Sequence, residues 1–366
     1  MKRILLASAS IVAFAGAAAA EVTFSGDATL GYNDTDNALV GDDNIGFYWD
    51  ASVDVTLSQA LDNGLTATAT FGLNVADNNL GESTESSDYV LSLTSDTAGL
   101  YFGNTEFAAV THWTGAGEMD NDGFSEEDGE TVLRGDLTYG GVNASVSYAI
   151  DTDQVGSDTS DQLQQLSFGV DGTFGTFSFA FAYQEEALPE YAGAGGDFNG
   201  NEIIGVSVNT SVAGADIRVA YASDETAGEN SIGLSATYPF GPVTIGAYYV
   251  LESADDTDAY GVTAEYVSGP LAISASYEID QEDDGTSNQT EDWELTGSYE
   301  VGNGITAYAG VVDAGDDYYV SALMTLGDGA SLLVSYVTTG DTENGDDETG
   351  PNDYQTGATV ELGFSF

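Results

Sequence analysis

The residues able to do chemistry in this 366-residue chain are overwhelmingly carboxylates. Asp and Glu number 62, against four Lys and Arg, one His and no Cys. Two of the bases, Lys2 and Arg3, stand at the very start. From residue 21 onward only Arg134 and Arg218 oppose the acids, a net charge of −60. Nucleic acid binding needs Lys and Arg against phosphate, so it is excluded. The sole histidine, His112, sits beside Trp113 with no nucleophile motif near it. Ser-His-Asp catalysis would have to be assembled around that one ring. Carboxylate pairs suited to glycoside cleavage occur everywhere by number alone and single out nothing. The chain reads as a non-enzyme that requires no cofactor.

The longest connection, Thr105 to Glu130, holds Glu106, Glu118, Asp120, Asp122, Glu126, Glu127, Asp128 and Glu130. Within it, Asp120-Asn121-Asp122-Gly123 has the carboxylate spacing and glycine turn of a calcium loop. The match is partial, because Gly129 occupies the position of the usual bidentate Glu, for which Glu126 or Glu130 would substitute. Asp120, Asp122 and Glu126 are therefore the candidate calcium ligands. Asp255-Asp256-Thr257-Asp258 and Asp346-Asp347-Glu348 are weaker candidates. The plain alternative is a solvated acidic surface adapted to a salty medium.

The elements that must position these groups begin after a targeting segment. Met1-Lys2-Arg3, an apolar run from Ile4 to Phe14 and Ala18-Ala19-Ala20 have the layout of a cleaved secretory signal, residues 1–20. The apolar run is too short for a transmembrane helix, which needs about 20 residues. No later stretch reaches about 18 continuous apolar residues, so helical spans are excluded. Strong acidity suggests disorder, but 21 Tyr and 16 Phe argue against it.

The dominant signal has period two. Val22, Phe24, Ala28, Leu30 and Tyr32 alternate with polar residues, as do Phe47, Trp49, Ala51, Val53, Val55 and Leu57. Leu65, Ala67, Ala69, Phe71, Leu73 and Val75 continue the pattern, and Ala358, Val360, Leu362, Phe364 and Phe366 close it. Successive strand residues point to opposite faces, so each segment has one apolar and one polar face. Nine tight turns, from Asp62-Asn63-Gly64 to Gly327-Asp328-Gly329, alternate with long polar connections. That is an up-and-down meander with the long loops at one end.

A soluble sandwich also alternates, but here Tyr residues mark both ends of the apolar face. Tyr148, Tyr183, Tyr221, Tyr249, Tyr277 and Tyr336 lie toward the long loops, and Tyr139, Tyr238, Tyr266 and Tyr299 toward the short turns. Two aromatic girdles predict an all-β, transmembrane antiparallel β-barrel in an outer membrane, facing lipid. The count of hairpins gives up to 20 strands, with 16 and 18 also admissible as even numbers. By parity Asp50, Asp54, Arg134 and Arg218 face the lumen, and so do Tyr48 and Tyr319, without forming a continuous aromatic track.

In pattern the chain from residue 21 onward resembles the general diffusion porins of Gram-negative bacteria, especially the alphaproteobacterial ones. The resemblance is specific at Glu21-Val22-Thr23-Phe24-Ser25-Gly26-Asp27-Ala28, at Gly99 to Phe107, and at Val360 to the terminal Phe366. It implies a homotrimer of water-filled barrels in outer-membrane lipid, passing small hydrophilic solutes, each narrowed by an inward-folded third loop. Thr105 to Glu130 is that loop by position, and Arg134 resembles the basic residue that follows it. Two departures stand out. The family usually has 16 strands, and it usually faces its acidic loop with a wall of Arg and Lys that this chain nearly lacks. A lumen lined by carboxylates concentrates cations and excludes anions, so a cation-preferring pore is expected. The reading from a different class is an acidic, calcium-binding structural β-protein, secreted or of the outer membrane.

Overall fold

The computed structural model describes residues 20–34, 46–77, 85–151, 162–188, 191, 193, 197–253, 258–280, 290–338, 349–352 and 354–366. The targeting segment up to residue 19 lies outside them, as do the acid runs Asp255-Asp256-Thr257 and Asp346-Asp347-Glu348.

The strands follow in chain order as β1 (Glu21–Ser25), β2 (Asp27–Asn33), β3 (Gly46–Ala60), β4 (Thr66–Asp77), β5 (Glu85–Thr94), β6 (Ala98–Gly103), β7 (Thr131–Tyr139), β8 (Val142–Ile150), β9 (Leu163–Phe174) and β10 (Phe177–Gln184). They continue as β11 (Ile203–Val212), β12 (Ala215–Asp224), β13 (Glu229–Phe240), β14 (Val243–Glu252), β15 (Ala259–Ser268), β16 (Leu271–Asp280), β17 (Thr290–Gly302), β18 (Ile305–Val312), β19 (Asp317–Gly327), β20 (Ala330–Val337) and β21 (Gly357–Ser365). One short helix, α1 (Ala108–His112), stands between β6 and β7.

Each strand from β3 onward pairs antiparallel with the next, and β21 pairs with both β20 and β2, which closes the sheet on itself. β1 and β2 are one barrel strand: Ser25↔Asp54 and Ala28↔Ala51 keep a single register against β3 across Gly26. A side chain at Gly26 would meet the Ser52 carbonyl oxygen at 2.5 Å. The result is a closed antiparallel barrel of 20 strands, the highest of the three counts that the hairpins leave open. Closure leaves no sheet edge, which is what a β-structure in hydrocarbon requires.

All nine tight turns connect strands as the sequence pattern predicts. Ala213-Gly214 and Asn303-Gly304 have positive φ at both residues (54° and 89°, 55° and 76°), the twist that matches two-residue hairpins to their strands. Many lipid-facing positions are exposed apolar residues, including Val206, Val208, Val219, Leu234 and Ile245. Tyr139, Tyr238, Tyr266 and Tyr299 are exposed at the short-turn end, and Tyr221, Tyr249, Tyr277 and Tyr336 near the long loops. Such exposure is ruinous in water and normal for a face solvated by lipid.

Register shifts interrupt the ladders β3–β4, β4–β5, β8–β9, β17–β18 and β19–β20. A β-bulge opposite Ala51 and Ser52 leaves Val75 outside the paired register, because Ala51 pairs with Ala76 and Ser52 with Asn74. Helix α1 was not foreseen, since five residues give no readable helical period. The buried apolar residues sit inside the barrel, not between layers. One cluster joins Ala116 and Met119 to Ala220, Ala222, Val250 and Ala259; another joins Ala109 and Phe124 to Ala182 and Ile203. In both, residues of the 105–130 connection, called L3 below, pack on the inner wall.

Candidate functional site

L3 leaves β6 at Asn104, whose backbone N–H donates to the Tyr89 carbonyl and whose side chain donates to Glu127 Oε1 at 2.9 Å. The loop then lies along the inner wall. The N–H groups of Ala108 and Ala109 donate to Ser147 Oγ (2.9 Å) and Ser167 Oγ (2.7 Å). Both serines are on the inward parity of β8 and β9, and pair with each other. Farther on, the N–H of Asn121 reaches Ser231 Oγ at 3.1 Å, and its side chain donates to Glu252 Oε2 at 2.9 Å. The return limb is fixed by Ser125, whose N–H donates to Gln184 Oε1 (2.8 Å) and whose hydroxyl contacts Gln165 and the Asn199 carbonyl. The loop therefore crosses the inside of β8 to β14 and returns.

What lets it lie so close is a set of small inward residues. A side chain at Gly169 would overlap the Ala108 carbonyl, and one at Gly233 the Ala116 carbonyl. Gly205 accommodates the Trp113 ring, which would stand 2.5 Å from a Cβ there. Ala180, Ala182, Ala220 and Ala222 complete the bed, all buried. None of these was singled out from sequence. The readable signal is the set of small inward residues on β10 to β13, namely Ala180, Ala182, Gly205, Ala220, Ala222 and Gly233.

His112 is buried, not solvent-exposed on the loop. Its Nδ1 meets Asp171 and its Nε2 meets Ser145 Oγ at 2.7 Å. The order Asp171–His112–Ser145 is that of a serine-hydrolase triad. Yet Ser145 is only 4% exposed and His112 8%, both pressed between α1 and the wall. The arrangement fastens the loop; it presents no nucleophile to solvent.

Both arginines face inward as parity predicts, but they serve the loop. Arg134 Nη1 donates to the Glu106 carbonyl (2.9 Å) and to Thr111 Oγ1 (3.3 Å). Its Nε stands 3.0 Å from Asp136 Oδ1, an ion pair off-line for a hydrogen bond, and its guanidinium lies 5.0 Å from the centre of the Tyr101 ring. Arg218 Nη1 donates to the Gly115 carbonyl at 3.1 Å. Arg218, expected on the lumen wall, thus lies beneath L3 with one N–H donated to a loop carbonyl. Arg218→Gln should raise protease access to L3 while leaving the sign of ion selectivity unchanged. A strong rise in cation preference without change in L3 protection would instead mark Arg218 as a filter charge.

The acids divide by exposure. Glu106, Glu118, Asp120, Glu126 and Asp128 are exposed, Asp122 and Glu127 are half-buried, and Glu130 is buried, with Oε2 accepting from the Asp128 N–H. Asp50 and Asp54 lie inward on β3, opposite Thr29 and Ser25, outside the sector that L3 covers. The candidate calcium ligands are not gathered. Asp122 Oδ2 accepts from the Trp113 indole at 2.8 Å, Asp120 donates its N–H to Glu252, and Glu126 donates its own to the Asp197 carbonyl. Among the described residues no three potential ligands converge to hold a metal ion.

Burial pushes the Asp122 carboxyl up to about 6, and the Glu252 and Glu118 charges add to the rise against the lowering by Trp113. Burial raises Glu106 as well. A carboxyl whose pKa is raised on docking favours the docked loop below its undocked pKa, and that contribution is lost as pH rises through about 6. Acidification through about 6 should therefore remove a loop charge and reduce cation preference. Asp122→Asn keeps an acceptor for Trp113 and should flatten this step. An unchanged titration of the reversal potential would refute the assignment.

The family model for Gram-negative porins matches residues 7–317. The chain belongs to the Gram-negative porin family. This porin is therefore an outer-membrane channel protein. Among solved structures it is similar to engineered variants of the Rhodopseudomonas blastica porin. One aligns with 95% of this chain and 100% of its own at 16% identity and a TM-score of 0.48. A triply substituted variant aligns over the same shares at 17% identity and a TM-score of 0.47. No curated protein matches by sequence.

Proposed function

We propose that this porin is a cation-preferring diffusion channel whose L3 narrows the lumen and supplies its filter charges. One observation carries the reading: five exposed carboxylates are on L3, while both arginines are engaged with L3 carbonyl oxygens. Glu106, Glu118, Asp120, Glu126 and Asp128 thus face water without a basic wall opposite. Fixed negative charge in a low-dielectric tube raises local cation concentration. In a lumen filled with salt water the preference fades as the Debye length falls to about 3 Å at 1 M. Asp50 and Asp54 extend the negative lining along β3.

The same reading includes export by a signal cleaved after Ala20, assembly as a homotrimer and no catalytic activity. Calcium draws no support from the geometry of L3; conductance unchanged by EDTA would close that question. The test of the channel itself is ion substitution in planar bilayers. Replacing potassium by a bulky organic cation should lower the conductance steps far more than replacing chloride by a bulky anion. The opposite ranking would overturn the cation preference, and absence of steps would overturn the channel.

A further inference from the structure

A second piece of chain besides L3 rests on the inner wall. Between β20 and β21, Thr349 and Tyr354 exchange both backbone hydrogen bonds (3.0 and 2.9 Å), closing a tight turn. The wall beneath it carries an inward apolar patch: Tyr308 and Val312 of β18, Tyr319 and Leu323 of β19, and Leu333 and Val337 of β20. These positions alternate with the lipid-facing Val320, Val334 and Tyr336. Apolar side chains on a wall that faces water are stabilised when chain covers them. Here Val337 is wholly buried, and Tyr319 and Tyr354 are only 2% and 1% exposed.

Tyr354 is the anchor of the turn. Its ring centre lies 5.4 Å from that of Tyr319, and its hydroxyl oxygen accepts from Ser321 Oγ (2.6 Å) and Asn352 Nδ2 (2.8 Å). Asn33 Nδ2, at the end of β2, donates to the Thr356 carbonyl (2.8 Å) and to Thr359 Oγ1 (2.9 Å), which holds the chain where it enters β21. Glycines permit the close approach, as they do under L3. A Cβ at Gly350 would stand 3.0 Å from atoms of both tyrosine rings, and one at Gly310 would strike the Tyr319 ring.

The turn and L3 face each other. On a ring of 20 strands β20 is nine strands from β11, the middle of the L3 bed. Their depths also match. Ser321, under Tyr354, is the fifth residue of β19, and Ser167, under L3, the fifth of β9, both counted from the long-loop end. Pro351, exposed in the turn, borders luminal space beside the inward Glu294.

We propose that this turn is a second constriction wall, and that the gap between it and L3 sets the size limit for solutes. The narrowest diameter of a pore decides what passes. The proposal rests on the channel reading and adds a specificity-determining element to it, with Tyr354 holding the turn in place.

The chain has no Cys, so a single one can be introduced as a handle. Pro351→Cys, modified after assembly by a bulky methanethiosulfonate reagent, should lower the single-channel conductance, and dithiothreitol should restore it. Ala227→Cys, exposed in the β12–β13 connection, should be modified without that loss. Tyr354→Ala removes the anchor and should let sugars that wild type excludes swell liposomes several-fold faster. Tyr354→Phe keeps the ring contact and should stay closer to wild type. Heat-modifiable gel mobility checks that each variant folds. An unaltered size limit in folded Tyr354→Ala, or full conductance in fully modified Pro351→Cys, would overturn the second wall while leaving the channel reading intact. Wild type without conductance steps would overturn that reading and the wall with it.

Discussion

Valine in place of Gly233 or Gly169 is expected to unseat L3 and open the pore to larger solutes. At both positions an added Cβ runs into a loop carbonyl, not a flexible side-chain end, so the loop backbone must lift. Lifting at Gly169 breaks the hydrogen bonds from Ala108 and Ala109 to Ser147 and Ser167, each worth about 1 kcal/mol. Lifting at Gly233 separates Ala116 and Met119 from their buried bed on β12 and β14. Removing large side chains from such packing costs about 2–5 kcal/mol, so the two losses compare with what one loop gains by docking. Liposome swelling with sugars too large for wild type should increase several-fold. A Glu-specific protease added outside should gain access to Glu118. The lipid face is untouched, so heat-modifiable mobility should persist. Variants that exclude the same sugars and stay protease-resistant would show that the wall does not depend on these glycines.

Moving one positive charge by one residue should abolish assembly. Arg218 is inward and Val219 outward, 51% exposed, on the middle of β12. Val219→Arg places a guanidinium against hydrocarbon at a cost of about 2–4 kcal/mol near the bilayer midplane. In an acidic soluble β-protein the same substitution would occupy an exposed position and add a favourable charge. The barrel predicts loss of the heat-modifiable outer-membrane form, and Arg218→Val combined with Val219→Arg should not restore it. Normal accumulation of Val219→Arg in the outer membrane would contradict the lipid-facing assignment.

The barrel was legible because lipid, water and the pleat impose the same period of two on nearly every strand, and because the glycine-rich turns punctuate it. Those turns left 16, 18 or 20 strands open; the barrel has 20, with β1 and β2 counting as one because their register runs through Gly26. Alternation alone could not foresee the bulge at Val75, which arises from pairing geometry. The inward directions of Arg134, Arg218, Tyr48 and Tyr319 were readable for the same reason as the strands. Their partners were not. Arg218 meets Gly115 from 103 residues away, and His112 meets Asp171 and Ser145 across two strands. Such contacts depend on where L3 comes to rest, and the only trace in the sequence is the small inward residues of its bed. The calcium-like run is read along the chain, whereas the fold gives its members different neighbours: Asp122 accepts from the Trp113 indole, and the backbone N–H groups of Asp120 and Glu126 go to Glu252 and Asp197.

The charge distribution gives this porin its individual character: acids exposed on the loop, arginines sequestered beneath it. Its most direct test is the zero-current potential across a planar bilayer holding the purified porin between dilute KCl solutions differing about tenfold in concentration. A cation-filled lumen makes the dilute side positive, and the potential should shrink when both solutions approach 1 M and the Debye length falls to about 3 Å. A dilute side that is negative, or a potential indifferent to ionic strength, would contradict an acidic filter built on L3.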